Sequence, residues 1–228
     1  MELKNLSRRE FLAGTCAVCG TAFLSPVLFS KKLTNWINFN IQEDYKKELI
    51  KNAPLARYWT YSNSQNAQCK ECHTEPQLKQ KNYDHKEKYI KCLLCAQGCV
   101  IEDGRSGKCR ARMNVNGELK SLVYGRPIAI HTDPIEKKPF YHFLPGSYAY
   151  SLATAGCPLS CQFCQNWQIS QAKPEDYNVN YISANDIVKN TLLEKSPIIA
   201  FTYNEPTVFI EYMIDIAAAA RKIGRAHV

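Results

Sequence analysis

The stretch SYAYSLATAGCPLSCQFCQNW, Ser147–Trp167, decides the fold of this chain. Its first half is a run of small and apolar residues that ends at Gly156, a pattern that predicts a buried strand closed by a glycine turn. Three cysteines follow at once: Cys157, Cys161 and Cys164. Functional sites of parallel α/β folds form in the loops at the carboxyl ends of strands, so we predict a site in this loop.

The three cysteines indicate the chemistry of that site. Three thiolates can hold a cubic 4Fe-4S cluster by three of its irons, which leaves the fourth iron open to a small ligand. The C-x-x-x-C-x-x-C spacing, with Phe163 directly before the third cysteine, resembles the motif of the radical S-adenosylmethionine (SAM) superfamily.

The resemblance extends over roughly Lys91–Lys222. The segments CLLCAQGCVI, SLVYGRPIAIHTDPIEKKPFYHFLPGS, TAGCPLSCQFCQNW and FTYNEPTVFIEY together resemble the radical enzyme of the AmmeMemoRadiSam system. That family is similar to the activating enzymes of glycyl-radical enzymes, such as pyruvate formate-lyase activating enzyme.

The resemblance implies roles for individual residues. Cys157, Cys161 and Cys164 would ligate the cluster, and Phe163 would pack near the adenine of SAM. Asn204 and Glu205 would bind the methionine amino group, although they stand where the superfamily usually has a glycine-glycine-glutamate type of motif. The residues themselves allow a plainer interpretation, in which YNEPT is a strand end followed by a helix start.

The implied reaction is the reductive cleavage of SAM to a 5'-deoxyadenosyl radical that takes hydrogen from an unknown substrate, with activation of a glycyl-radical protein as one form. Such an enzyme needs a low-potential electron donor, such as flavodoxin or ferredoxin, and its substrate could be a protein. Several charged residues before the barrel could reach a substrate: His131, Asp133, Glu136, Lys137, Lys138 and His142. Charged side chains that are simply solvated on a connecting loop are the commoner explanation for such a group.

A second cysteine cluster precedes this region. Cys92, Cys95, Cys99 and Cys109 form a four-thiolate set, and the glycines in its longest gap allow the turn that brings the fourth cysteine back. Four soft ligands favour zinc or a second iron-sulfur cluster, and disulfides are the alternative in an oxidising compartment. An Asn116-Gly117 turn between alternating segments then predicts a β-hairpin, so a small cysteine-rich β domain is expected over 89–147.

The N-terminal part has a targeting pattern. Arg8 and Arg9 precede a stretch without charges, from Phe11 to Phe29, which resembles a twin-arginine signal. We therefore interpret residues 1–30 as a signal or anchor, which places the protein outside the cytoplasm or tethers it to the membrane through this segment alone; a cytoplasmic location is the alternative.

Residues 31–88 are predicted to be a polar linker with one helix near Gln42–Lys51. The run CKECH, with Cys69, Cys72 and His73, matches the attachment signature of c-type haem. We do not expect haem there, because export of folded protein fits poorly with haem attachment. The alternatives are a ligand set for a metal or cluster, or no cofactor at all.

Composition supports a globular protein. Eleven cysteines fall in short clusters among 228 residues, and 45% of the residues are hydrophobic, so metal or redox chemistry is favoured over disorder or a disulfide framework. The net charge of +8 is spread without a long basic run, so we expect no nucleic-acid partner.

The expected fold class is α/β: a partial radical SAM (β/α) barrel over 148–228, preceded by the small β domain. This segment has room for about two of the six βα units, and we expect no strand after the helix that follows Pro206. Residues 223–228, IGRAHV, read like a translated sequencing adapter, so we interpret the chain as a truncated gene fragment and expect it to be inactive alone.

Two other functions compete. An exported iron-sulfur or haem electron-transfer protein explains the signal and CxxCH motif, but relay clusters usually have four protein ligands and gain nothing from an open iron. A zinc-knuckle binding module explains Cys92–Cys109 and leaves Cys157–Cys164 without a role.

Overall fold

The computed structural model describes residues 42–61 and 89–223, and the backbone of Ala226–His227. The twin-arginine-like segment and the motif at Cys69, Cys72 and His73 fall outside these residues, so both stay predictions from sequence. Contacts group the chain from Tyr45 onward into one unit.

A small antiparallel sheet begins the described part. Helix α1 covers residues 42–52, as the sequence predicted, and is followed by strands β1 (Trp59–Tyr61), β2 (Ile90–Cys92) and β3 (Val100–Ile101) in the order β1-β2-β3. Ile90, Cys92 and Ile101 of these strands share a buried cluster with Ala56 and Leu119. Part of the predicted linker thus belongs to a folded β sheet.

The predicted hairpin is confirmed. Strands β4 (Arg112–Val115) and β5 (Glu118–Ser121) pair antiparallel on either side of Asn116-Gly117. Both turn residues have positive φ, 55° and 86°, as the tight two-residue hairpin turn requires. Leu49 of α1 packs against Met113 and Leu122, which fixes the helix on the hairpin.

The main sheet carries the cysteine loop. Strands β6 (Ala129–Pro134), β7 (Tyr148–Ala153), β8 (Ile198–Phe201) and β9 (Ala226–His227) lie in the order β6-β7-β8-β9. Strands β7, β8 and β9 are parallel, and β6 is antiparallel to β7. Strand β8 is buried throughout and β7 after its first residue, as expected for parallel strands covered on both faces.

Helices cover the main sheet. Helix α2 (Trp167–Ser170) is one turn after the cysteines, α3 (Ala184–Leu193) connects to β8, and α4 (Ile210–Arg221) follows a 3-10 turn at Pro206–Phe209. The Ser183 hydroxyl caps α3 by accepting from the Asp186 amide at 3.1 Å. The core between sheet and helices includes Leu152, Ile187, Phe209, Tyr212 and Ile216.

One expectation about the C-terminal part is wrong. A strand does follow α4, since β9 pairs with β8 through Ile198–Ala226 and Ile199–His227. Periodicity could not reveal it, because a pairing of two residues leaves no alternating pattern. Two βα units are therefore followed by a parallel strand of two residues, both within 223–228, and the described residues contain no closed barrel.

Candidate metal and cofactor site

Two predicted sets of site residues meet at one cleft. Cys157, Cys161 and Cys164 line it together with Asn204 and Glu205, and its volume is about 200 Å³. The cysteines follow β7, and Asn204 and Glu205 follow the parallel neighbour β8, so the cleft lies at the carboxyl end of the sheet. It is smaller than usual ligand pockets of about 300–1,000 Å³.

The cysteine loop leaves β7 through a glycine turn. Gly156 has φ +91°, and its amide donates to the Ile169 carbonyl of α2 at 2.9 Å. The Cys164 amide donates to the Cys161 carbonyl at 3.2 Å. Cys157 is buried, Cys164 is half-buried and Cys161 is exposed, so the loop presents its thiols from the core outward.

Asn204 joins the ends of the two strands. Its side-chain amide donates to the carbonyls of Thr154 at 2.8 Å and Gly156 at 2.7 Å. Its Oδ1 atom is buried and accepts no hydrogen bond from the described residues. An unsatisfied buried acceptor costs about 1–3 kcal/mol, so this amide oxygen suits a ligand that brings its own N–H donor.

Glu205 has a local structural role. Its carboxylate accepts hydrogen bonds from the amide and hydroxyl of Thr207, and Pro206 occupies the first position of the 3-10 turn. The strand-end and helix-start interpretation of YNEPT is therefore confirmed, and its binding role stays a prediction. Phe163 is 87% exposed, which leaves its ring face free for a ligand.

The second cysteine set lines its own enclosed cavity. Cys92, Cys95, Cys99 and Cys109 all contribute to its wall. The Lys108 amide points at Cys99 Sγ, with an N to S distance of 3.4 Å. Burial raises the pKa of Cys92 and raises that of Cys109 to about 11, so both thiols favour the protonated form.

The cysteines that the structure describes are all free thiols, with no disulfide among them. Within the described ranges, no three or more His, Cys, Asp or Glu side chains are placed to hold a metal ion as they stand. A tetrahedral zinc with Zn–S bonds of about 2.3 Å would draw its sulfurs to within about 4 Å of each other. The three thiols that line the shared cleft match in number the protein ligands of a 4Fe-4S cluster with one open iron.

The charged residues before β7 form a hydrogen-bonded group. Asp133 accepts from the hydroxyl of Tyr203 at 2.6 Å and from the ammonium groups of Lys138 at 2.9 Å and Lys137 at 3.1 Å. Burial alone would raise the pKa of Asp133, but these three donors outweigh it and hold the pKa well below its usual range. Burial and the bond to Asp133 raise the pKa of Tyr203.

This group reaches the cleft through Tyr203, which lines it. Tyr203 also has φ +71°, an uncommon backbone conformation for a tyrosine. Nothing in the sequence singled it out, although its place directly before Asn204 at a strand end was a usable signal.

Sequence reasoning also missed the contacts of two arginines, Arg110 and Arg112. The Arg110 guanidinium approaches the carbonyls of Cys157 at 3.5 Å and Ser170 at 3.4 Å, and donates to the Gln171 side chain at 2.9 Å. The buried Arg112 guanidinium forms a two-point ion pair with Glu211, at 3.0 Å and 2.6 Å. Arg112 falls with Asn114 in the polar phase of the predicted hairpin, so the alternating pattern gave no signal for this pair.

In the part of the chain that the structure describes, no helix is both long and apolar enough to cross a membrane.

Comparisons with known proteins add a relative without a known function. No family model matches the chain, and no solved structure matches it. An uncharacterized protein of Methanocaldococcus jannaschii is 40% identical over 139 residues, which are 61% of this chain and 42% of that protein. The chain thus spans less than half the length of this relative. Unrelated sequences do not reach this level of identity by chance.

Proposed function

We propose that this protein is a radical SAM enzyme. The observation that carries the proposal is the shared cleft, in which Cys157, Cys161 and Cys164 lie beside Asn204 and Glu205 at the ends of two parallel strands. A three-thiol loop at this place suits a cluster that keeps one iron open. With SAM bound at that iron, the reduced cluster would supply the electron that cleaves SAM to methionine and a 5'-deoxyadenosyl radical.

The chain's own residues would position the reactants. The buried Cys157 would hold the cluster from the inner side of the cleft, and the exposed Cys161 would hold it from the outer side. The unpartnered Oδ1 of Asn204 would accept from the amino group of SAM, and the exposed ring of Phe163 would cover the adenine. Positioning of this kind is what the protein adds to chemistry that a cofactor carries.

The electron donor and the substrate follow from the reaction class. Each cleavage consumes one electron, so we propose a low-potential carrier such as flavodoxin or ferredoxin as a partner. The substrate that loses hydrogen is a small molecule or a protein, including a glycyl-radical protein. Tyr203, held by Asp133 at the cleft wall, would contact it there.

The proposal is tested by measuring whether SAM is cleaved to 5'-deoxyadenosine. The full-length protein, reconstituted with iron and sulfide without oxygen and reduced with dithionite, should release 5'-deoxyadenosine from SAM. Cys161→Ala should abolish the release, while Ser160→Ala, a change at the exposed neighbour in the same loop, should leave it unchanged. If the wild-type protein binds a cluster but releases no 5'-deoxyadenosine, electron transfer becomes the better explanation.

A further inference from the structure

The cysteine set of the small β region lies directly against the proposed SAM site. The backbone of Cys109 is so close to Gly156 that a Cβ atom on Gly156 would lie 2.2 Å from the Cys109 carbonyl oxygen. Gly156 is the residue before Cys157, so the last ligand of one set touches the chain that carries the first ligand of the other.

Residues of the SAM site also wall the second cavity. Pro158, from the cysteine loop, and Thr207 and Val208, which follow Glu205, line the cavity that contains the four thiols. Arg110, the neighbour of Cys109, reaches the Cys157 carbonyl at 3.5 Å. The two sets therefore share a wall rather than occupying separate parts of the molecule.

The four cysteines of the second set differ in how deeply they are buried. Cys92 and Cys109 are buried, and Cys109 lies at the shared wall through its contact with Gly156, whereas Cys95 and Cys99 are partly exposed. The cavity is enclosed by apolar side chains such as Leu94 and Ile101, and the Lys108 amide points at a sulfur. Dry surroundings with N–H donors to sulfur are among the features that tune iron-sulfur clusters.

We propose that Cys92, Cys95, Cys99 and Cys109 hold a second iron-sulfur cluster that relays electrons to the site at Cys157, Cys161 and Cys164. This inference rests on the proposed function. One electron enters at the partly exposed side from a reduced carrier protein, which is oxidised, and leaves through the Cys109–Gly156 contact toward the SAM site. Each SAM that is cleaved consumes one such electron.

The first test counts metals in the reconstituted protein. Two 4Fe-4S clusters give about eight irons per chain. Cys95→Ser should retain about four irons at the site of Cys157, Cys161 and Cys164, and Cys161→Ser should retain about four at the second site. Far-UV circular dichroism checks that both variants fold. Metal analysis of the wild-type protein as isolated needs no variant: about four irons with one zinc per chain would overturn the relay and leave the proposed function intact.

The second test measures coupling and electron entry. Both clusters reduced together should give an electron paramagnetic resonance (EPR) spectrum broadened by spin coupling, and this broadening should be lost in each single-site variant. Reduced flavodoxin should reduce the remaining cluster of Cys161→Ser as fast as in wild type, and that of Cys95→Ser much more slowly. Equal rates in the two variants would overturn the relay.

The two proposals fail separately. Coupled clusters without any response to SAM would support the relay pair and contradict the proposed function. A response to SAM without a second cluster would support the proposed function and contradict the relay.

Discussion

The carbonyl oxygen of Cys109 lies where a side chain on Gly156 would have to be, with an ideal Cβ at only 2.2 Å. Gly156 combines this close approach with φ +91°, so it meets both conditions that favour glycine. The contact joins the small β region to the cysteine loop at the point where β7 ends.

Replacing Gly156 with alanine tests this contact. Gly104→Ala is the matched control, because Gly104 has φ +75° and no atom within 4 Å of its Cβ position. The backbone conformation alone should cost each variant about 1–2 kcal/mol in the free energy of unfolding. Gly156→Ala should lose clearly more, measured by urea denaturation, and should retain less iron. Equal losses in the two variants would contradict a packing role for the contact.

The buried ion pair between Arg112 and Glu211 should be essential for stability. Glu211→Gln leaves the Arg112 charge, on a side chain 1% exposed, without its partner in the core. We expect a loss of about 3–5 kcal/mol in the free energy of unfolding. The surface pair Lys120–Glu118 provides the control, since Glu118→Gln should cost under about 1 kcal/mol. Similar losses for both would show that the buried pair is not special.

Asn204 should serve the fold and the ligand through different atoms. Asn204→Asp keeps the acceptor but replaces the amide that donates to Thr154 and Gly156, whereas Asn204→Ala removes both. Losing one hydrogen bond to a charged amino group should weaken SAM binding about tenfold in Asn204→Ala. Isothermal titration of the cluster-loaded protein measures this, with the exposed Asn185→Ala as control. Unchanged affinity would remove Asn204 from the proposed SAM contacts.

The hydrogen bonds of Asp133 should make the stability of the folded protein depend on pH. The pKa of Asp133 is lower in the folded protein than in the unfolded chain, so its contribution to stability is complete above about pH 4 and disappears as the pH falls further. Asp133→Asn should therefore be less stable than wild type at pH 7, and the difference should shrink toward pH 3. Tyr203→Phe removes one donor to Asp133 and should weaken the same effect. A difference that is constant with pH would contradict the proposed ion pairing.

Local patterns predicted much of the fold. The small apolar run before Gly156 gave β7, Asn116-Gly117 gave the hairpin, and Pro206 marked the start of a helical turn, because each signal acts over a few residues. The cysteines, Asn204 and Glu205 share a cleft as expected, because parallel neighbours deliver their loops to the same edge.

Contacts between distant segments could not be predicted. The Arg112–Glu211 pair and the Asp133–Tyr203 hydrogen bond join residues far apart in the chain, and no periodicity encodes which partners meet. The two-residue strand β9 left no pattern, and the Cys109–Gly156 contact depends on how the two sheets pack. Such features come from tertiary packing.

The most direct test of the account is the EPR spectrum of the reduced, cluster-loaded protein with and without SAM. If an open iron at Cys157, Cys161 and Cys164 binds SAM, the signal of a 4Fe-4S cluster will shift when SAM is added, and Cys161→Ala will lose the shifting signal. A cluster signal that SAM leaves unaltered would contradict the radical SAM proposal.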